Sequence, residues 1–152
     1  MKKLWIPLLI SVLVCAVLII FGSQKHKEET SPPARNPERI VSLAPDITEI
    51  LFALGLGDKI IAVSSDSDYP PETADKKKVG TFWKPGTESI LAMKPDLIIT
   101  QWFAEQKSAA DTLEQLGYKT LVLSMQKFSE LPEVIDKIGK ATGTQEKAQQ
   151  LS

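Results

Sequence analysis

The chain has 152 residues, 43% hydrophobic and 24% charged, enough for one modest globular domain with appendages. Its 18 Lys and Arg nearly balance 19 Asp and Glu, which argues against nucleic acid as a partner, because neutralising phosphates needs a basic surplus. With one cysteine (Cys15) and one histidine (His26), an intrachain disulfide and a thiolate metal cluster are excluded, a Ser–His or Cys–His nucleophilic centre is not expected, and no enzyme is expected.

Leu4 to Phe21 is free of charge, and only Ser11 carries a hydroxyl. At about 1.5 Å per residue, a helix of that length just crosses a hydrocarbon layer of about 30 Å. Lys2 and Lys3 precede it, so the positive-inside rule puts the N-terminus in the cytoplasm and the remainder outside, periplasmic or at the cell surface. The exit Ile20-Phe21-Gly22-Ser23 lacks a small-x-small cleavage pattern, and Val14 stands where a lipoprotein signal needs a small residue. A signal anchor over residues 1–22 is therefore preferred to cleavage and to lipidation of Cys15. Residues 23–38, polar and containing Pro32, Pro33 and Pro37, read as a linker.

From Arg39 short apolar runs alternate with helical periods. Arg39–Leu43 is a β-branched strand, after which Pro45 and Asp46 open a helix. Asp46 is the expected N-cap with Glu49 three residues on, Ile47, Ile50, Leu51 and Leu54 share one face, and Gly55 ends the helix. Lys59–Ser64 is a second strand, and a polar loop follows to Asp75. Lys76-Lys77-Lys78 reads as a solvated turn and Val79–Phe82 as a short third strand. Thr87 is expected to cap a helix through Lys94, stopped by Pro95. Asp96–Gln101 is a buried strand, Ala104–Leu116 an amphipathic helix and Lys119–Met125 a further strand. Ser129 is expected to cap a helix to about Thr142, and Thr144 to start another.

Apolar strands separated by helices predict an α/β lobe, a Rossmann-like parallel sheet covered by helices on both faces. In such sheets ligands sit at the carboxyl edge of the strands. The residues leaving the strands there include Pro45, Ser65, Asp66, Phe82, Trp83, Trp102 and Phe103. Aromatics beside hydroxyls and a carboxylate suit a bulky, partly apolar, hydrogen-bonding ligand. Gly55-Leu56-Gly57 follows a helix and is no phosphate turn. Asp66 and Asp68 lack the further oxygen donors of a calcium loop, so no metal site is expected; Asp68 is read as fixing the turn before Tyr69.

Four motifs then carry a resemblance: the run from Arg39 to Gly55, Ser67-Asp-Tyr-Pro-Pro71, Val79-Gly80, and Glu88 through Lys94-Pro-Asp to Ile99. In order and spacing they resemble the N-terminal lobe of substrate-binding proteins of ABC importers for vitamin B12, haem and ferric siderophores. The match runs from Arg39 to about Gly143 and looks most like the cobalamin binders. The resemblance implies two Rossmann-like lobes joined by a long helix, with ligand clamped between them and no cofactor. Residues 39–143 would be the N-terminal lobe, and 144–152 the truncated start of the interlobe helix. The second lobe would come from missing sequence or another chain.

It further implies a corrinoid or iron-chelate ligand and an ABC permease with its ATPase as partners. Glu88 matches the carboxylate that docks the permease. At Asp66 the sequence departs from the best-known cobalamin binder, which has a ligand-contacting tyrosine there. A ferric-siderophore or haem receptor is the rival within the class, and a membrane-tethered sensing or scaffolding module is the rival from another. One jaw alone is expected to fold but to bind weakly, if at all.

Overall fold

The computed structural model describes residues 35–152, so the apolar N-terminal segment, Cys15, His26 and most of the linker lie outside the described residues. Asn36–Ser152 form one compact unit. Among the described residues no helix is long and apolar enough to cross a membrane.

Five parallel strands make one sheet: β1 (Ile40–Ser42), β2 (Ile60–Val63), β3 (Lys77–Lys78), β4 (Leu97–Gln101) and β5 (Thr120–Leu123). Their spatial order is β3-β2-β1-β4-β5. The chain thus winds outward from β1 to β3, returns to the far side of β1, and continues outward to β5. Between β1 and β4 the winding reverses, and there the segments leaving adjacent strands diverge and open a crevice.

Alternation within the strands sorts side chains to two faces. Ile40, Leu97 and Ile99 point to one core with α1 (Pro45–Ala53), α4 (Leu131–Thr142) and α5 (Gln145–Leu151). Val41, Ile98 and Ala62 point to the other, with Ile90 of α2 (Thr87–Ala92) and Leu113 of α3 (Ala104–Gln115). The expected apolar face of α1, Ile47, Ile50, Leu51 and Leu54, is buried. The α/β reading with a covered parallel sheet therefore holds.

Several local expectations are corrected. Asp46 does not cap α1; Pro45, with its fixed φ, takes the first helical position, the cap residue is Ala44, and the Asp46 side chain faces Gln101 instead. Thr87 is inside α2, whose cap residue is Gly86. That helix stops at Ala92 rather than Lys94, because Pro95 disfavours the helical region for its predecessor; Lys94 sits at φ 48. Arg39 then donates to the freed carbonyls of Met93 (2.6 Å) and Lys94 (3.0 Å). Ser129 lies in a 3-10 turn over Phe128–Glu130, and α4 begins at Leu131 with Pro132 in its first turn.

The third strand is Lys77–Lys78, two residues earlier than the expected Val79–Phe82, and the lysine run is an edge strand rather than a turn. Val79 N–H still donates to Val63 O (3.1 Å), but Gly80 at φ 99 then turns the chain away. Lysines on an edge strand discourage pairing with another chain. Here Lys78 also donates to Ser67 O (2.7 Å) and Lys76 to Gly57 O (2.8 Å).

At the C-terminal end, α5 packs on α4 where Gly139 meets Ala148. A Cβ on Gly139 would stand 2.5 Å from the Ala148 methyl, so only glycine permits this approach. Gly139→Ala is expected to cost about 1–3 kcal/mol, as overpacking does. A urea titration followed by far-UV circular dichroism measures it, and an unchanged midpoint would show that the two helices are not held at this distance.

Candidate functional site

An open cleft of ≈ 410 Å³ lies at the carboxyl ends of β1 and β4, lined by Pro45, Asp46, Asp66, Phe82, Trp83 and Gln101. It sits at the reversal of the winding order. Pro45 and Asp46 follow β1, and Gln101 ends β4. Gln101 Nε2 donates to Asp46 Oδ2, bridging the two segments across the crevice. Burial raises the Asp46 carboxyl above its usual 3.8, against the lowering effect of backbone donors and of Gln101.

The aromatic wall comes from a tight turn. Gly80 can take φ 99 and lies so close to the backbone of Lys84 and Gly86 (2.5 Å from a Cβ placed there) that a side chain has no room. Thr81 and Lys84 exchange backbone hydrogen bonds (3.1 and 3.2 Å), and Gly80 bridges Pro85, so Phe82 and Trp83 stand at the tip. Asp66 Oδ2 accepts from Phe82 N–H (2.5 Å) and ties this turn to the loop after β2. Phe82, Trp83 and Phe103 meet edge-on at centroid distances of 4.8, 5.3 and 5.8 Å. Trp83 remains 63% exposed although it contacts two rings, so its indole presents a large free face.

Beneath the wall lies Gln106, fully buried on the core stripe of α3 with Ala109, Ala110 and Leu113. Its Nε2 donates to Leu43 O (3.0 Å) and Phe82 O (2.9 Å). Its Oε1 accepts from Gln101 N–H (3.2 Å) and from the Thr100 hydroxyl. One amide therefore joins the end of β1, the end of β4 and the aromatic turn. A second buried network supports the loop after β2. Thr48 Oγ1 bonds Ser42 Oγ (2.8 Å), Ala44 O (2.9 Å) and Ser67 Oγ (3.1 Å), and Ser67 reaches Ser64 Oγ (2.8 Å).

Of the residues expected at the ligand edge, the cleft brings together Pro45, Asp66, Phe82 and Trp83. Ser65 and Trp102 are not among its lining residues. Ser65 is exposed in the loop after β2, its N–H bonded to Gly80 O (2.7 Å). Trp102 lies 57% exposed under the Lys107 ammonium, 5.4 Å from its ring centroid. Glu88 is exposed in the first turn of α2. Gln101, which leaves β4 at the nominated edge, also lines the cleft, whereas the reading of single residues missed Asp46 and Gln106. Gln106 carried a signal: an amide in the apolar stripe of an amphipathic helix must find buried partners. Among the described residues no group of three or more His, Cys, Asp or Glu could hold a metal ion.

A family model described as periplasmic binding protein matches residues 40–152. The chain belongs to this family. An uncharacterized ABC transporter substrate-binding lipoprotein of Bacillus subtilis is 39% identical over 121 residues, 77% of this chain and 38% of that protein. The vitamin B12-binding protein of Vibrio cholerae is 41% identical over 131 residues, 86% of this chain and 44% of that protein. The crystal structure of a periplasmic vitamin B12 binding protein of Vibrio cholerae superposes with a TM-score of 0.69 at 36% identity, over 76% of this chain and 45% of that one. A periplasmic heme-binding protein from Roseiflexus gives 0.71 at 29% identity, over 75% and 44%. The chain thus spans less than half the length of each of these family members.

Two substitutions test the site's construction. Gln106→Leu keeps the volume but strands the carbonyls of Leu43 and Phe82, at a cost of about 2–4 kcal/mol. Its near-UV circular dichroism should weaken as the aromatic turn loosens. Asp46→Asn tests the carboxyl. Between 3.8 and its raised folded value the folded state holds more of the proton than the unfolded state. Stability contributed by Asp46 is therefore lost as pH rises through that window. Asp46→Asn should raise the urea midpoint at pH 7 and confer no advantage below pH 3.8; an equal gain at both would place the effect elsewhere.

Proposed function

We propose that this chain supplies one solute-binding jaw of an ABC importer outside the cytoplasmic membrane, holding a corrinoid or a related metal chelate for transfer to a permease. The cleft between β1 and β4, walled by Phe82 and Trp83, is the observation that carries this reading. A flat, largely exposed indole beside a smaller ring offers contact area to a macrocycle at little cost in side-chain freedom. Pro45 adds a rigid apolar edge, while Asp46, Asp66 and Gln101 supply polar contacts that fix orientation.

No bond is made or broken in this role. The jaw binds, and the partner surface discharges. Glu88, exposed on α2, is the residue we assign to docking against a basic permease residue, where a rim charge sets orientation more than affinity. Ser65 and Trp102, which do not line the cleft, are assigned to its outer rim, reached by a ligand larger than the cavity. The name of the Bacillus relative, a lipoprotein, supports attachment to the membrane; the residues proposed to provide it here are 1–22.

The expected affinity of this jaw alone is low, because tight sites enclose most of their ligand and one wall covers about half. Calorimetric titration of the chain with cobinamide, haem and a ferric catecholate, each up to its solubility limit, tests the reading. Cobinamide should bind measurably, at least about tenfold more weakly than to a two-lobed relative, and Trp83→Ala should weaken it by about fivefold or more. Silence with cobinamide alongside binding of either iron chelate would transfer the assignment to that ligand.

A further inference from the structure

We propose that this jaw selects its ligand by charge, accepting a neutral or cationic face that presents N–H donors and rejecting one that presents carboxylates or phenolates. This rests on the reading of the cleft as a ligand site. The polar side chains lining the cleft are two carboxylates and one amide, Asp46, Asp66 and Gln101, and none of its lining residues is basic. Three lysines, Lys78, Lys84 and Lys107, lie within four residues of an aromatic side chain of the wall, and none lines the cleft. Lys84 lines an adjoining groove on the other side of Trp83 with Thr87 and Glu105, Lys78 donates to Ser67 O, and Lys107 is paired with Asp111 over Trp102.

The acceptors that remain free settle the sign. Gln101 spends one of its two amide N–H groups on Asp46, and Asp66 spends one oxygen on the Phe82 N–H. This leaves oxygens of Asp46 and Asp66 at the cleft beside one N–H and the carbonyl of Gln101, so acceptors outnumber donors and the ionisable lining groups are both acidic. A ligand amide or ammonium meets a charge-assisted partner there. A propionate or catecholate brought to the same place meets like charge beside apolar ring faces, where water screens it less than on an open surface.

The test keeps the ligand's ring and exchanges its peripheral N–H donors for negative charge. A dicyano-corrinoid whose peripheral side chains end in primary amides is compared with the same ring after hydrolysis of those amides to carboxylates. Equilibrium dialysis uses the full chain in a neutral detergent. The amide form should bind at least about threefold more tightly. Raising the salt concentration should narrow the ratio, because screening weakens repulsion and spares shape. Asp46→Asn and Asp66→Asn, which keep an oxygen for Gln101 and for the Phe82 N–H, should each move the ratio toward one.

Equal affinity for the two corrinoids, or a ratio indifferent to both substitutions and to salt, would overturn charge selection while leaving the corrinoid reading intact. Tighter binding of the carboxylate form would reverse it. Binding of neither form would remove the corrinoid reading and this inference together.

Discussion

The construction of the cleft depends on a single buried amide. Gln106 has two donors and an acceptor, and each finds a partner in a different segment: the end of β1, the end of β4 and the turn that carries Phe82. An apolar residue in its place would leave the carbonyls of Leu43, which is buried, and Phe82, which is partly so, without this partner outside the sheet ladder. The apolar neighbours Ala109, Ala110 and Leu113 seat the helix, and the amide among them sets where the loops stop. Packing and polar satisfaction are thus divided along one face of α3.

A similar division recurs after β2. The hydroxyls of Ser42, Thr48, Ser64 and Ser67 form a buried chain that satisfies itself. It pins the loop carrying Asp66 to the first turn of α1. Asp66 in turn holds the aromatic turn through the Phe82 N–H, so the two networks meet at Phe82 from opposite sides. The aromatic wall is therefore fixed at its backbone while the face of Trp83 stays open. Rigid placement of an exposed ring limits the ordering a ligand must impose when it binds.

Much of this was legible in the sequence. The β-branched runs, the apolar face of α1 and the stop before Pro95 follow from local chemistry, and alternation with helices was enough to predict a parallel sheet. The carboxyl-edge rule then nominated Pro45, Asp66, Phe82 and Trp83. What eluded the sequence was spatial order. That β4 returns beside β1 is decided by long-range pairing, and only this juxtaposition brings Gln101 to Asp46. Asp46 itself was disguised, since an acidic residue three before a glutamate has the pattern of a cap, and Pro45 ahead of it shifted the cap two residues earlier, to Ala44. The same rule nominated Ser65 and Trp102, which leave the same strand ends but do not line the cleft, because successive side chains leave a strand in different directions.

The strand order also has a temporal meaning. β1 and β2 are close in sequence and can pair early, but β4 lies 57 residues from β1 at the Ile40–Leu97 register. Closing so long a loop costs entropy before any contact compensates for it, which makes such pairings slow. Every polar contact that shapes the cleft across the crevice, from Asp46 to Gln101 and from Gln106 to Leu43, waits on that closure. A chain emerging residue by residue can fold its β1–α1–β2 unit while the cleft does not yet exist. The cleft is then among the last features to exist, so a competent site reports that the whole sheet has been assembled.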